Sequence, residues 1–530
     1  NLDLLTAPEA AFRAITGWDV RFLNSRFSNS FMQALLCRLG VRPMSLESQA
    51  NLKLADYSQD SPFRAAESLA LDMDLEPILD FLASRYVRIP HAREAFRLAL
   101  ISEIAKDPLG IFLTDTWMRS RDTKHARVVA RTSNESLVFE RMGTPADILA
   151  PPAGLSWLGR MAVPEKLTSS FSTHRSRLRN LLISGGGGHG LDDPVSAQSE
   201  QVNRADASVL MIFNNSDRYG NLYRYDHLFS SDPKSPLYRS NTALISRYGG
   251  AMSGGSLAER WPLGGSRVSR RRRSHAIWLR LKTLNDASVP DGALRFLARL
   301  SARVDLTAEE VRLQYPRAKV ACLMYEIQVP SYLSLALDAA GIKTIALHER
   351  PETAFAHDST ITASTVLAGS PFLAKSLMVS SSTAISVTEP VGMWRTDLLH
   401  QAKSQAAKYR DELLGKRFNR LVVALPYHVE HDPLRASDPI ATSAETMEHF
   451  LDEVIRVADT WPDVLIIIRA KQIDWLEDER LWAILRKLHS RSNIDVSTDY
   501  AALNETYRLC SAADLIIGKA SSILDECLSL

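Results

Sequence analysis

Apolar and polar positions follow two rhythms along this chain. Short, unbroken apolar runs, among them Val209-Leu-Met-Ile-Phe213, Leu421-Val-Val-Ala-Leu425 and Val464-Leu-Ile-Ile-Ile468, are separated by longer stretches whose apolar residues recur at helical spacing. An apolar run without alternation reads as a strand buried on both faces, and such strands interleaved with helices read as a parallel sheet covered on both sides. Further strands are expected at Val20 to Leu23, Ala126 to Ala130, Val320 to Met324, Thr344 to Leu347, Thr365 to Leu367, Ile494 to Val496 and Leu515 to Ile517. Residues 60–105, rich in Ala, Leu and Glu as in Ala92-Arg-Glu-Ala-Phe-Arg-Leu-Ala-Leu-Ile101, predict a helical insertion. The pattern therefore predicts an α/β protein built from two Rossmann-like parallel-sheet domains. The first spans 1–398, a polar linker helix 399–417, and the second 418–530.

Composition narrows the class. At 530 residues the chain exceeds what one core organises. With 45% hydrophobic and 23% charged residues it has the composition of an ordinary water-soluble globular protein. A formal net charge of +2 gives no overall attraction to nucleic acid. The longest apolar runs fall far short of the ~20 residues that cross a bilayer. Cys37, Cys322, Cys510 and Cys527 show neither a CxxC pair nor Cys/His metal spacing, which points to a reducing, cytoplasmic compartment without zinc.

Two segments interrupt the α/β rhythm. The run Gly185-Gly-Gly-Gly-His189-Gly190 permits positive φ and close backbone approach, so it suits a linker or lid, or a phosphate loop. Leu-Asp-Asp-Pro follows it in place of a helix start, which favours the linker or lid. Residues 249–274 are Gly- and Ser-rich and close with Arg270-Arg-Arg-Arg273 ahead of Ile277-Trp-Leu-Arg-Leu-Lys-Thr-Leu284. This flexible, basic segment suits either a solvated loop or contact with anionic lipid.

The densest candidate chemistry lies at the end of the chain. The strand Leu515-Ile-Ile-Gly518 runs into Lys519, then into Ser521 and Ser522, which open a helix carrying Asp525 and Glu526. Unpaired N–H groups and the positive dipole end at a helix start attract phosphate, and Ser521 and Ser522 add hydroxyl donors there. Glu526, four residues past Ser522, shares its helix face and is suited to accept both hydroxyls of a ribose. The competing reading makes Ser522 an N-cap with Asp525 as its capping-box partner.

This strand, Ser-rich turn and Glu-bearing helix resemble the C-terminal domain of GT-B glycosyltransferases. There the turn holds the donor diphosphate and the helix Glu the ribose. That family continues with a Gly-x-Pro turn and a further strand, so the resemblance implies that this chain, ending at Leu530, is truncated at that end. Its first residue is Asn1, so no signal segment can be read at the start.

A second constellation lies mid-chain. Tyr325-Glu326 ends one strand, and the next closes as Leu347-His348-Glu349-Arg350-Pro351. Ligands of open parallel sheets bind beyond the carboxyl ends of the strands, so Glu326, His348, Glu349 and Arg350 are candidates for one crevice, or else ordinary charges at strand ends. A His among carboxylates suits acid/base work near neutral pH. The order Gly341-Ile-Lys-Thr344, His348, Leu367-Ala-Gly369-Ser370 and Pro390-Val-Gly392-Met-Trp-Arg-Thr-Asp397 resembles bacterial surface and capsular polysaccharide transferases of the sialic-acid, Kdo and glycerophosphate types. The family's strand closes Gln-His-Gly, with the His in the active site. Here the His is kept between Leu347 and Glu349.

In the second domain, Tyr427-His428-Val-Glu430-His431-Asp432 forms the first loop after a strand, which in GT-B enzymes faces the donor. His428 and Glu430 are the expected donor contacts. A metal site is the lesser alternative, because a loop ending in Asp-Pro lacks the register that aligns ligands. Arg469 and Lys471 share one face at a strand end, and the resemblance to GT-B enzymes that work without a metal implies that such cations neutralise the leaving diphosphate. Asp474-Trp475 follow, placed to frame the base or sugar, and Asp499, Tyr500 and Tyr507 border the next loop and helix.

Together these readings imply a cytoplasmic glycosyltransferase, peripheral to the inner membrane. It would need a nucleotide-activated sugar as co-substrate, a glycan or lipid-linked acceptor, no other cofactor, no metal and no nucleic acid. His348, Glu349 or Glu326 would act on the acceptor hydroxyl, with Arg469, Lys471, Ser521, Ser522, Glu526, His428 and Glu430 on the donor. Two alternatives remain: a nucleotide-sugar 2-epimerase and a non-catalytic capsule-assembly protein on the same scaffold.

Overall fold

A computed structural model describes residues 62–104, 133–144, 204–213, 241–246, 257–262, 265–285, 288–324, 329–348, 360–393, 396–429, 443–470, 474–498, 505–518 and 522–528. Shorter pieces are described at 20–22, 41–43, 115, 119, 127–129, 147–149, 234–235 and 250–251. The chain divides into two compact units. One comprises Asn1–Leu82, Phe96–Gln198 and Arg272–Leu300, the other Ala83–Ala95, Ser199–Arg271 and Ser301–Leu530.

The first unit holds two small parallel strand pairs, β1 (Val20–Phe22) with β2 (Val41–Pro43) and β3 (Arg127–Val129) with β4 (Asp147–Leu149). The helix Pro62–Asp72 packs on the helix Ser133–Arg141, and Arg141 bridges back to Ser68 Oγ and Asp72 Oδ2, both at 2.6 Å. The helical reading of residues 60–105 resolves into Pro62–Asp72, Glu76–Ser84 and Ala92–Ile104.

The second unit contains two sheets. The larger is eight-stranded: β5 (Val209–Phe213), β6 (Thr242–Ser246), β7 (Gly250–Ala251), β8 (Leu257–Arg260), β9 (Val320–Leu323), β10 (Lys343–Leu347), β11 (Ile361–Ala368) and β12 (Thr383–Pro390). Its order is β12-β11-β10-β9-β5-β6-β8-β7, parallel throughout except for the β7–β8 edge pair. The smaller has β13 (Arg420–Leu425), β14 (Val464–Ile468), β15 (Ile494–Val496) and β16 (Leu515–Gly518) in the all-parallel order β15-β14-β13-β16.

The smaller sheet shows why its strands are apolar on both sides. Val422, Ala424, Ile466 and Ile468 pack into one core with the helices Ala444–Thr460 and Trp482–His489. Leu421, Val423, Leu425, Leu465 and Ile467 pack into another with Leu399, Leu414, Leu509, Cys510 and Ile523. Alternate side chains of one strand thus fill opposite cores. Leu399 and Leu414 belong to two helices, Thr396–Lys403 and Ala406–Leu414, where the sequence suggested one polar linker. Their polar residues face outward, while their leucines form part of the C-terminal core.

A second difference concerns the basic run. Arg270–Arg273 lies inside a helix, Arg267–Leu284, and not in a loop ahead of one. Its glycine- and serine-rich neighbours gave a loop composition, but the helix needs only the arginines, which are good helix formers.

A buried polar network fastens the Ala83–Ala95 piece to the large sheet. Asp338 Oδ1 accepts from Ser364 Oγ at 2.6 Å and from Thr344 N at 3.0 Å, and Oδ2 accepts from Thr344 Oγ1 at 3.0 Å. His91 Nε2 lies 3.4 Å from Asp338 Oδ2, while its Nδ1 is 2.8 Å from Ser386 Oγ. Ser386, His91 and Asp338 form a relay in outline, but Thr344 lies near the amino end of β10, so the cluster sits away from the carboxyl edge where open sheets bind ligands. Its work is to satisfy a buried carboxylate.

In the smaller sheet, Asp514 Oδ2 accepts from Leu421 N and from Arg410 Nη2, both at 2.8 Å, tying β13 to the approach of β16. Burial alone would raise the Asp514 carboxyl. The bonds from Arg410 and Leu421, with the charges of Arg410 and Arg420, outweigh it and hold the group below its ordinary value of 3.8. A depressed carboxyl stabilises the fold above that ordinary value, and the contribution disappears as pH falls below 3.8 through the folded-state pKa. Asp514→Asn is therefore expected to flatten the loss of stability on acidification below about pH 4. Denaturant midpoints measured across that range for the wild type and the variant check this; parallel curves exclude the linkage.

Candidate functional site

In each sheet the strand order reverses once. In the large sheet the chain builds outward from β5 through β6, then returns to lay β9, β10, β11 and β12 on the other side. In the small sheet it builds from β13 through β14 and β15, then returns with β16 on the other side of β13. Crossover connections at such a reversal leave the helices on opposite faces, and a crevice opens beyond the carboxyl ends of the two central strands.

At the carboxyl edge of the large sheet, Met324 follows β9 and His348 follows β10. His348 is 2% exposed, and its backbone N–H donates to Leu367 O at 3.1 Å, extending the β10–β11 ladder by one residue. Beneath this edge Met211, Phe213, Leu244, Met324 and Leu347 form an apolar cluster. Cys322 packs against it, and burial pushes its thiol up to about 11.

The turn Leu367 to Ser370 and the segment Pro390 to Met393 are brought together here. Val391 N donates to Ala368 O at 2.9 Å, and a Cβ on Gly369 would lie 2.5 Å from Met393 Sδ. Gly392 takes φ +86°, the left-handed conformation that favours glycine. Ser370 caps the helix Pro371–Val379 by accepting from Leu373 N at 3.2 Å. Glu326, Glu349 and Arg350 lie outside the described residues.

At the carboxyl edge of the small sheet, Arg469 follows β14, 8% exposed, and its N–H donates to Ala424 O at 2.8 Å. Its guanidinium donates to Ser497 Oγ at 3.2 Å and to Thr506 Oγ1 at 3.4 Å, so it is held by the end of β15 and the start of the helix Glu505–Ala512. Glu505 accepts from Tyr409 Oη and, at 3.2 Å, from Arg508 Nη1, whose guanidinium lies 4.0 Å from the Tyr409 ring centroid. Burial, and then the bond to Glu505, push the Tyr409 hydroxyl well above its usual range, so it stays a donor. His428 follows β13 and tilts against Tyr427 at 4.4 Å between ring centroids.

The end of β16 meets β13 closely. A Cβ on Gly518 would lie 3.0 Å from Leu425 O, 3.1 Å from Leu425 Cβ and 3.2 Å from Leu524 Cδ1. A Cβ there would be tight against both β13 and the helix Ser522–Cys527, and Leu425 or the strand end would have to give by a few tenths of an ångström. Glu526, on that helix, is 1% exposed and accepts from Tyr507 Oη at 2.9 Å. It therefore has a buried partner within the protein. Cys510 and Cys527 share a hydrogen bond beside it, which together with burial keeps Cys510 a protonated thiol.

Trp475, expected to frame a base or sugar, is 2% exposed and belongs to the core with Val429, Ile468 and Ala470. Lys471, Glu430 and Ser521 lie outside the described residues, as do Asp499, Tyr500 and the run Gly185 to Gly190. Ser522 is the first residue of its helix. Among the described residues no group of three or more His, Cys, Asp or Glu side chains is arranged to hold a metal ion.

The hydroxyls of Ser497 and Thr506, and the cluster of Glu505, Tyr409 and Arg508, were not anticipated. Their only sequence signal is position: Ser497 follows a short strand, and Glu505 with Thr506 opens a helix.

No family model matches the chain, and no curated protein matches it. Among solved structures, the N-terminal domain of Candida albicans trehalose-6-phosphate phosphatase aligns over 62% of this chain and 78% of its own, at 11% identity and a TM-score of 0.28. A likeness that slight carries no argument about fold or chemistry.

The close approach at Gly518 generates a test. Gly518→Ala forces Leu425 O or the strand end to shift, and is expected to cost about 1–3 kcal/mol, with Gly518→Val costing more. Denaturant midpoints for the two variants measure this, and an Ala variant as stable as wild type would show that β16 has room to spare.

Proposed function

We propose that this protein is a glycosyltransferase with two Rossmann-like domains of the GT-B type. It would transfer a sugar, or a related phospho-linked unit, from a nucleotide-activated donor to a bacterial surface polysaccharide or its lipid-linked precursor. It would work in the cytoplasm, peripheral to the inner membrane. No helix among the described residues is long and apolar enough to cross a membrane.

One observation carries the reading: a parallel sheet whose order reverses at β13, with a buried arginine at the neighbouring strand end and a glycine-enabled close approach leading into a helix start. This is the arrangement in which open α/β sheets receive phosphorylated ligands. In the proposal Arg469, Lys471, Ser521 and Ser522 hold the donor diphosphate, with His428 and Glu430 beside it. The cations stabilise charge that develops on the leaving group. His348 removes the proton of the acceptor hydroxyl as that oxygen attacks the anomeric carbon, with Glu349 or Glu326 as its partner. Glu526 reaches a ribose only by exchanging its Tyr507 partner for the sugar hydroxyls.

Two measurements test the reading. Calorimetry with nucleoside diphosphates is expected to show binding that Lys471→Ala weakens by roughly 10- to 150-fold, the loss of one charge-assisted contact. Unchanged affinity in a folded variant removes Lys471 from the site, and absence of binding to wild type removes the donor reading altogether. His348→Ala is expected to abolish transfer and spare donor binding. Appearance of a 2-epimer by NMR when wild type is given donor without acceptor would instead establish the epimerase.

A further inference from the structure

The helix Arg267–Leu284 carries seven cations, Arg267, Arg270, Arg271, Arg272, Arg273, Arg280 and Lys282, and no carboxylate. Only Ile277 and Leu281 are buried, and they define its inner side. The outer side follows from the spacing: Val268, Arg271, Arg272, His275, Leu279 and Lys282 stand at i, i+3, i+4, i+7, i+11 and i+14, on one face. All six are exposed.

Two of them are aliphatic. Val268 is 60% exposed and Leu279 48%, and eleven residues apart they lie about three turns, or roughly 16 Å, along one line of the helix. The cations and His275 surround that line. Trp278 sits to one side and is engaged: its Nε1–H donates to Asp291 Oδ1 at 2.8 Å, and the Arg295 guanidinium lies 4.4 Å from its ring centroid. The nearby carboxylates are committed as well. Asp291 accepts from Arg295 Nε, and Glu310 accepts from Gly265 N at 3.4 Å.

We propose that this face docks on an anionic lipid surface, its arginines and Lys282 against lipid phosphates and Val268 and Leu279 inserted at the headgroup boundary. Charge complementarity selects an anionic partner, and the aliphatic line selects lipid over nucleic acid. Phosphate backbones reward cations and stacking rings, and leave exposed Val and Leu side chains in water. The chain as a whole carries a formal charge of only +2, so the attraction is local to this helix and not a property of the entire surface. The inference gives the peripheral-membrane part of the proposed function a surface. It rests on that part of the reading alone and is tested without donor or acceptor, so its failure removes this membrane surface and leaves the transferase reading to its own tests.

The experiment is flotation of the full chain with phosphatidylcholine vesicles and with mixed phosphatidylcholine–phosphatidylglycerol vesicles. Wild type is expected to float with the mixed vesicles only, and to be released by salt. The variant Arg271→Glu, Arg272→Glu, Lys282→Glu is expected to lose about 100-fold or more in vesicle affinity, since each surface cation contributes severalfold. All three side chains are exposed, so the variant should fold, as circular dichroism will check. Leu279→Asn, which changes no charge, is expected to weaken binding several-fold; unchanged vesicle affinity in this variant counts against insertion and overturns the docking mode proposed. No flotation of wild type, equal flotation with both vesicle types, or full binding by the triple variant overturns the proposal. So does an RNA oligomer that displaces the protein from vesicles and whose own binding is indifferent to Leu279→Asn.

Discussion

Five consecutive aliphatic side chains, Val464–Ile468, are all buried, and in an extended chain they point alternately to opposite sides. Both sides of β14 must therefore be covered. The same holds for β13, buried from Leu421 to Leu425, and for β5, buried along its whole length. Covering two faces of one sheet requires helices that cross over between parallel strands, and parallel strands place all their carboxyl ends on one edge. The positions of His348, Arg469 and Gly518 follow from that constraint. His348 and Arg469 each follow the last residue of a largely buried strand, and Gly518 is the last residue of β16, an edge strand that is only partly buried.

Where apolar burial leaves off, fixed polar partners take over. Asp338 gathers Thr344, Ser364 and His91 from different segments, and Asp514 joins Arg410 to the start of β13. Each carboxylate lies away from the carboxyl edge of its sheet, and each takes its bonds from within the protein, Asp338 with both oxygens and Asp514 through Oδ2. Arg469, at the carboxyl edge, is held by hydroxyls from β15's end and the next helix at 3.2 and 3.4 Å. A guanidinium held from two sides by the protein itself meets the condition for electrostatic preorganisation.

What could be read from the sequence divides along the same line. Most aliphatic runs were legible to within a residue or two: β5, β14 and β15 have the expected bounds, and β9, β10 and β13 differ at an end, but β11, expected at Thr365 to Leu367, begins four residues earlier at Ile361. The strands that escaped were those without such a run. β12, Thr-Ala-Ile-Ser-Val-Thr-Glu-Pro, is an edge strand with half of its side chains polar, and β6 and β8 mix apolar with polar residues. The α/β class with parallel sheets was legible because burial on both faces leaves a period-free apolar signature. Of the helix Arg267–Leu284, the amphipathic part from Ile277 was legible, and the start from Arg267 was hidden because glycine and serine around it suggested a loop.

The candidate site was legible as positions and not as surroundings. That Arg469 ends a strand follows from the run before it, but that Ser497 and Thr506 converge on it depends on strand order, since they lie 28 and 37 residues away. Glu526 shows the limit most clearly. Helical spacing puts it on the face of Ser522, but whether that face is open depends on Tyr507, 19 residues earlier on a packed helix. A carboxylate with a phenol donor 2.9 Å away exchanges one hydroxyl partner for another at little cost if the ribose replaces Tyr507 in kind, since both are neutral O–H donors. The buried Glu526–Tyr507 pair thus fits either a structural bond or a ligand site held in order by a side chain that mimics the sugar hydroxyl, and the two differ in whether the Tyr507 bond breaks when nucleotide binds.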